Sequence, residues 1–257
     1  MNLYENLHAF KEKLSTGQPV TGPFMKTGDP AFVEAAGWAG FDFCILDTEH
    51  GPVSIETMQN NVRAAEVSGM LPIIRVADAE ENTIGKALDI GAMGVQVPQV
   101  SDTKTAKAVV AAAKFHPAGS RGMCRFVRAA QYSTLDRYDY FREANEILVI
   151  LQLEGQEAID NLHSILAVEG VDILFIGPYD LSQSLGLPGQ IDHPKVIEKM
   201  NEIVSAARAA GKVVGTFLDK PVHFSRWKQA GVQYLSYSTD VGLFAEMCAS
   251  VVKTSTE

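Results

Sequence analysis

The chain has 257 residues, of which 46% are hydrophobic and 21% charged, and its formal net charge is −9. That length suits one α/β barrel of about 250 residues, and the composition is that of a globular protein with no apolar stretch long enough to span a membrane. The acidic balance supplies no basic surface for nucleic acid or anionic lipid, so a small anionic substrate needs a local cation to hold it.

In chain order, Met1-Asn2-Leu3-Tyr4-Glu5-Asn6 has no basic segment leading into an apolar one. No secretory signal is expected there, and the expected compartment is the cytoplasm. An amphipathic helix follows around Leu3 to Leu14. Strand signals then fall near Thr21 to Lys26, Phe41 to Leu46, Leu71 to Val76, Gly94 to Val97, Ile147 to Leu153, Val171 to Ile176, Lys212 to Phe217 and Val232 to Tyr237. These runs are too uniformly apolar to alternate in and out of solvent, as is typical of parallel strands covered on both faces. Helical stretches lie between them. Asp29-Pro30 opens one and Ser54 with Thr57 another, while Gly69, Gly91, Gly211 and Gly231 close four. Eight βα units predict a single closed (β/α)8 TIM barrel over residues 1–257, preceded by the N-terminal helix.

One connection, Phe115 to Glu146, breaks the rhythm and carries Arg121, Arg125, Arg128 and Arg137. It is expected on the catalytic face, as a lid or an oligomer contact, with a solvated arginine face as the other reading. Phe244, Met247, Cys248 and Val251 form an apolar stripe on a terminal helix, which packs either on its own barrel or on a partner. Cys44, Cys124 and Cys248 are odd in number and widely spaced, so they are expected to be reduced and structural rather than a disulfide framework or a zinc site.

Barrel chemistry sits where the strands end. Glu154 and Asp180 both lie just past apolar runs, Ile147 to Leu153 and Val171 to Ile176, in successive units. Two hard oxygen ligands at one mouth suggest a divalent cation. The second strand ends in Asp47-Thr48-Glu49-His50-Gly51-Pro52, where His50 is a natural general base. Arg75 is embedded in Ile73-Ile74-Arg75-Val76 and needs an anionic partner, substrate or carboxylate, because burying guanidinium alone is expensive. Asp89 ends a helix, where the dipole disfavours a negative charge. Either a bond to an imidazole or a surface salt bridge would offset that. Lys26 is the one lysine at a strand end, and so the one candidate for a Schiff base.

Asp47-Thr48-Glu49-His50-Gly51-Pro52, Ile74-Arg75-Val76, Leu88-Asp89-Ile90-Gly91-Ala92, Gln152-Leu153-Glu154 and Ile176-Gly177-Pro178-Tyr179-Asp180-Leu181-Ser182 together resemble the HpcH/HpaI family of metal-dependent pyruvate aldolases. The similarity runs from about Gly22 to Phe217. The resemblance implies a barrel of the phosphoenolpyruvate/pyruvate-domain type assembled as a homohexamer, with magnesium, manganese or cobalt held by Glu154 and Asp180. It implies that His50 is the base, that Asp89 raises its basicity and that Arg75 steadies the enolate oxygen. Gln152, Tyr179 and Asp180 would contact the 2-oxo acid, the last two partly through backbone donors, and Asp47 resembles an acid near the metal-bound waters.

Two departures from the family bear on specificity. The segment Arg121 to Tyr132 differs from the smaller, less basic loop associated with hydroxyheptenedioate aldolases, and Tyr179 replaces a small residue and narrows the cavity beside it. The expected reaction is reversible aldol cleavage of a 4-hydroxy-2-oxo acid to pyruvate, or a related 2-oxo acid, and an aldehyde. The alternatives are an acyl-CoA lyase of the citrate lyase β type, whose nucleotide phosphates the arginine-bearing segment would meet, and a non-catalytic 2-oxo acid binding protein.

Overall fold

Eight runs rich in branched and aromatic residues form eight parallel strands: β1 (Val20–Met25), β2 (Phe43–Asp47), β3 (Leu71–Arg75), β4 (Gly94–Val97), β5 (Leu148–Leu153), β6 (Ile173–Ile176), β7 (Val213–Leu218) and β8 (Tyr234–Thr239). They pair in sequence order, and β8 closes on β1 to complete the barrel. The structure is a computed structural model and describes residues 3–256. Twelve helices accompany the strands among the described residues: α1 (Leu3–Ser15), α2 (Pro30–Trp38), α3 (Ile55–Ser68), α4 (Glu81–Asp89), α5 (Thr103–Ala113), α6 (Arg137–Glu143), α7 (Gln156–Asp160), α8 (Leu162–Leu166), α9 (Pro178–Ser184), α10 (Pro194–Ala209), α11 (Val222–Ala230) and α12 (Asp240–Thr256). None is long and apolar enough to cross a membrane.

The expected start and stop residues act locally. Asp29 and Ser54 each accept a backbone N–H of the first turn they precede. Gly69 and Gly231 end α3 and α11 in the left-handed conformation that a side chain resists.

Alternation along the strands makes two cores. Cys44 and Leu46 of β2 and Ile74 of β3 point outward under the helices. Phe43 and Ile45, Leu71 and Ile73, and Leu148 and Ile150 point inward. The base of the barrel is plugged by α1, whose Tyr4, Leu7, Phe10 and Leu14 join the inner cluster. Phe10 meets Phe43 and Tyr234 edge-on, with ring centroids 5.9 and 6.4 Å apart. Continued one step past the apolar layers, the same inward parity puts Lys26, Asp47, Arg75, Gln96, Gln152 and Phe217 at the mouth.

The excursion from Phe115 to Glu146 is not on the catalytic face. It leaves the C-terminus of α5 and enters the start of β5, so both its ends are at the base, opposite the mouth. There Lys11 of α1 bonds Glu146, and Phe115, Tyr140 and Phe141 form a small cluster of their own. Its arginines are largely spent inside the fold. Arg121 pairs with Asp89 at 2.6 Å, Arg128 binds Glu66 and the Ile90 carbonyl, and Arg125 donates to the Ser133 carbonyl. This removes the basic patch on which the acyl-CoA reading depended.

Only Cys44 of the three cysteines is buried, whereas Cys124 and Cys248 are exposed, so a packing role holds for Cys44 alone. The apolar stripe of α12 does not pack on its own barrel. Phe244, Met247 and Val251 are 60 to 65% exposed, and the Phe244 ring meets that of Phe32 on α2 edge-on at 6.1 Å.

Candidate active site

Asp47 and Arg75 are register partners at the ends of β2 and β3, and that adjacency builds one side of the mouth. Arg75 Nε donates to Asp47 Oδ1 at 2.9 Å and Nη2 to Oδ2 at 2.7 Å. Its Nη1 lies 3.1 Å from Glu49 Oε2, and the guanidinium rests 4.7 Å over the ring of Phe24. Lys26 Nζ donates to the same Asp47 Oδ2 at 2.8 Å. Burial alone would push the Asp47 carboxyl up; the hydrogen bonds and charges of Arg75 and Lys26 outweigh it and bring it down to about 2.

Asp47 also shapes the loop that follows it. Its Oδ1 accepts the backbone N–H groups of Glu49 and His50 at 3.1 and 3.3 Å. Gly51 completes the turn, and a Cβ there would collide with the Asp47 carbonyl oxygen. The result presents His50 at the rim, 64% exposed, with Nε2 3.9 Å from Glu49 Oε2. Lys26 Nζ is taken up by the buried Asp47 carboxylate, so the one lysine that a Schiff-base route would need is engaged in bracing the mouth.

Across the mouth, Leu153 of β5 is in register with Ile176 of β6, so Glu154 and Gly177 are the next pair up. Gly177 leaves room between the two carboxylates: a Cβ added there would sit 3.4 Å from Asp180 Oδ2 and 3.5 Å from Glu154 Cγ. The buried Gln152 amide donates to Glu154 Oε1 and in turn accepts from Gln96. Burial, with the charges of Asp180 and Glu49 adding to it, pushes the Glu154 carboxyl up to about 7 against the lowering hydrogen bond from Gln152. Two crowded carboxylates to which, among the described residues, no basic side chain is bonded have the chemistry of a cation site. Among the described residues no third His, Cys, Asp or Glu joins them as a cluster. A pair of hard oxygens suits a magnesium-like ion, which keeps waters and takes further oxygens from its substrate.

Between these two sides lies a cavity of about 250 Å³ whose lining includes Lys26, Arg75, Gln152, Tyr179, Asp180 and Phe217. Arg75, Gln152, Tyr179 and Asp180, all expected to meet substrate, are thus brought together.

Asp89 is the exception. It is the last residue of α4, and a helix following a parallel strand runs back towards the base, so Asp89 ends up away from His50. Among the described residues it bonds Arg121, and no bond joins it to His50. The salt-bridge reading of Asp89 therefore holds within this chain, and the imidazole reading does not.

Three residues that line or brace the mouth escape a reading by motif alone: Glu49 as the second anion on Arg75, Gln96 behind Gln152, and Phe217 in the cavity wall. A polar Gln96 inside Gly94-Val95-Gln96-Val97 was the available signal, since an inward polar group at a strand end needs a partner.

The sequence signature of the HpcH/HpaI aldolase/citrate lyase family spans residues 21–246. The chain belongs to that family. It is 34% identical over 239 residues to a 2-keto-3-deoxy-L-rhamnonate aldolase of Salmonella gallinarum, covering 92% of this chain and 89% of that one. It is 35% identical over 238 residues to a hydroxypyruvate/pyruvate aldolase of Agrobacterium fabrum, with the same coverage of 92% and 89%. Among solved structures, an HpcH/HpaI aldolase/citrate lyase family protein from Burkholderia cenocepacia superposes with a TM-score of 0.91 at 30% identity, over 97% of this chain and 99% of that one. This HpcH/HpaI protein is a carbon–carbon lyase of the metal-dependent aldolase class.

Proposed function

We propose that this chain cleaves a 4-hydroxy-2-oxo acid reversibly to pyruvate, or a related 2-oxo acid, and an aldehyde, with Glu154 and Asp180 holding magnesium, manganese or cobalt. The observation that carries the reading is the carboxylate pair around Gly177, where a Cβ would sit 3.4 Å from Asp180 Oδ2 and 3.5 Å from Glu154 Cγ. A divalent cation bound there supplies Lewis acidity next to the 2-oxo acid.

The chain's own residues do the rest. Gln152 holds the Glu154 carboxylate in orientation, and the first turn of α9 offers the backbone N–H groups of Tyr179 and Asp180 to the substrate carboxylate. Arg75 has five N–H donors and gives two of them to Asp47 in hydrogen bonds, while Nη1 stands in an ion pair with Glu49 Oε2. The N–H groups outside those two bonds are available to charge that develops on the enolate oxygen. His50, at the rim, takes the proton of the C4 hydroxyl as the C3–C4 bond breaks and the aldehyde leaves, then returns it to C3 of the enolate to give pyruvate; in the reverse direction it takes a methyl proton of pyruvate. Asp47, expected near the metal-bound waters, is fully engaged by Arg75, Lys26 and the loop amides, so its part is to hold Arg75 and the His50 loop.

Cytoplasmic location is part of this reading, as is a homohexamer. Assembly is supported by α12, whose Phe244, Met247 and Val251 meet water in the single chain and lower their free energy by burial against another copy.

The test is metal dependence. Treatment with EDTA should stop both oxaloacetate decarboxylation and pyruvate methyl-proton exchange, and added magnesium or manganese should restore both. Exchange that survives chelation would refute the metal reading.

A further inference from the structure

Beyond the carboxylates and Arg75, the mouth carries a second set of polar contacts that the reaction above does not use. Tyr179 stands on the first turn of α9, at the end of β6, and its ring lies 6.2 Å from that of Phe217 on β7. Both side chains line the mouth cavity. The Tyr179 hydroxyl donates to Asp219 Oδ2 at 2.6 Å, which ties the end of β6 to the loop after β7. Asp219 Oδ1 is 3.2 Å from His223 Nδ1, and His223 Nε2 is 3.0 Å from Asp192 Oδ1. The His223 side chain is 4% exposed. Asp192 is in turn gripped by Arg226 at 2.8 Å and Lys220 at 3.1 Å. A chain of contacts thus runs from a basic surface cluster through a buried ring to the lip of the active site.

The lip needs such a chain. Tyr179 is 43% exposed, so packing alone leaves its ring free to swing between rotamers. The bond to Asp219 restrains the ring, and the buried imidazole 3.2 Å from Asp219 Oδ1 limits the space in which that carboxylate can move. Held this way, Tyr179 and Phe217 make an apolar wall on one side of the cavity. The cavity of about 250 Å³ is small beside the roughly 300–1,000 Å³ of ordinary ligand sites. A 2-oxo acid occupies part of it, so little room is left for an acceptor on the side that Tyr179 and Phe217 close.

We propose that Tyr179 is the wall that limits acceptor size, selecting short-chain aldehydes, and that Asp219 and His223 are positioning residues that hold it in place. This rests on the aldolase reading above, and the two are separable by experiment. Pyruvate methyl-proton exchange needs no aldehyde and reports the reading itself; the ratio of kcat/KM for glycolaldehyde to that for benzaldehyde reports the wall.

In the magnesium-loaded full chain, Asp219→Ala should leave exchange within about twofold of the unaltered protein while lowering the ratio about tenfold or more, chiefly through KM for benzaldehyde. Asp219→Asn keeps an oxygen for the tyrosine hydroxyl and should retain the original ratio. Should Asp219→Ala fail to fold, Tyr179→Phe, which lacks only the hydroxyl, should lower the ratio in the same direction. Intact exchange with an unmoved ratio in the folded variant overturns the wall and leaves the aldolase reading standing. Absence of exchange in the unaltered protein overturns that reading and the wall with it.

Discussion

Asp47 grips Arg75 with both carboxylate oxygens, at 2.9 and 2.7 Å, inside a barrel mouth where Asp47 has no exposed surface. The pair has a measurable pH signature. The folded-state carboxyl titrates at about 2, below its ordinary value of 3.8. A lowered value means that the pair stabilises the fold above about pH 4 and that this contribution is lost as the pH falls through 2. From the shift between 3.8 and about 2, the contribution at neutral pH is about 2 kcal/mol. Denaturation of Asp47→Asn and the unaltered protein should show a stability gap of that order at pH 7 that narrows below pH 4. A gap independent of pH would mean that the charge on Asp47 is not what stabilises the mouth.

Glu154→Ala and Asp180→Ala should each abolish metal-dependent turnover and keep a folded barrel, because both side chains stand above the apolar layers. Circular dichroism reads the fold and proton exchange reads the activity. Near-normal activity with unchanged metal dependence in either variant would show the cation to be held elsewhere.

His50→Ala should slow pyruvate proton exchange about 100-fold or more, as expected for the loss of a positioned base. Pyruvate binding, followed by calorimetry in the presence of metal, should persist. Lost binding with intact turnover at saturation would contradict the role of base.

Arg121→Ala tests the base of the barrel. Its side chain is 3% exposed, pairs with Asp89 and stacks 4.6 Å from the ring of Phe115. Removing it should cost about 2 kcal/mol once the partial exposure of Asp89 is discounted, a fall in Tm of about 5 °C. An unchanged Tm would show that the excursion is anchored by its aromatic cluster alone.

Deleting residues 244–257 removes the exposed stripe of α12. Light scattering should then report a smaller species, and aldolase activity should be lost with the assembly. A truncated protein that remains hexameric, or a monomer with full turnover, would show that the stripe serves neither.

The barrel was legible in the sequence because its signals are local. Apolar runs set the eight strands to within about two residues, as capping residues and closing glycines set the helix ends. The carboxylate pair was legible for the same reason: Glu154 and Asp180 each stand just beyond a strand, and consecutive parallel strands are neighbours. What only the tertiary structure decided depends on direction and on contacts distant in sequence. Asp89 and the Arg121 excursion read as parts of the mouth, but α4 and α5 run back along the barrel and carry both to the base. The tether from Tyr179 to Asp219 joins groups 40 residues apart. No periodicity encodes that contact, because it arises where the barrel sets the ends of β6 and β7 side by side.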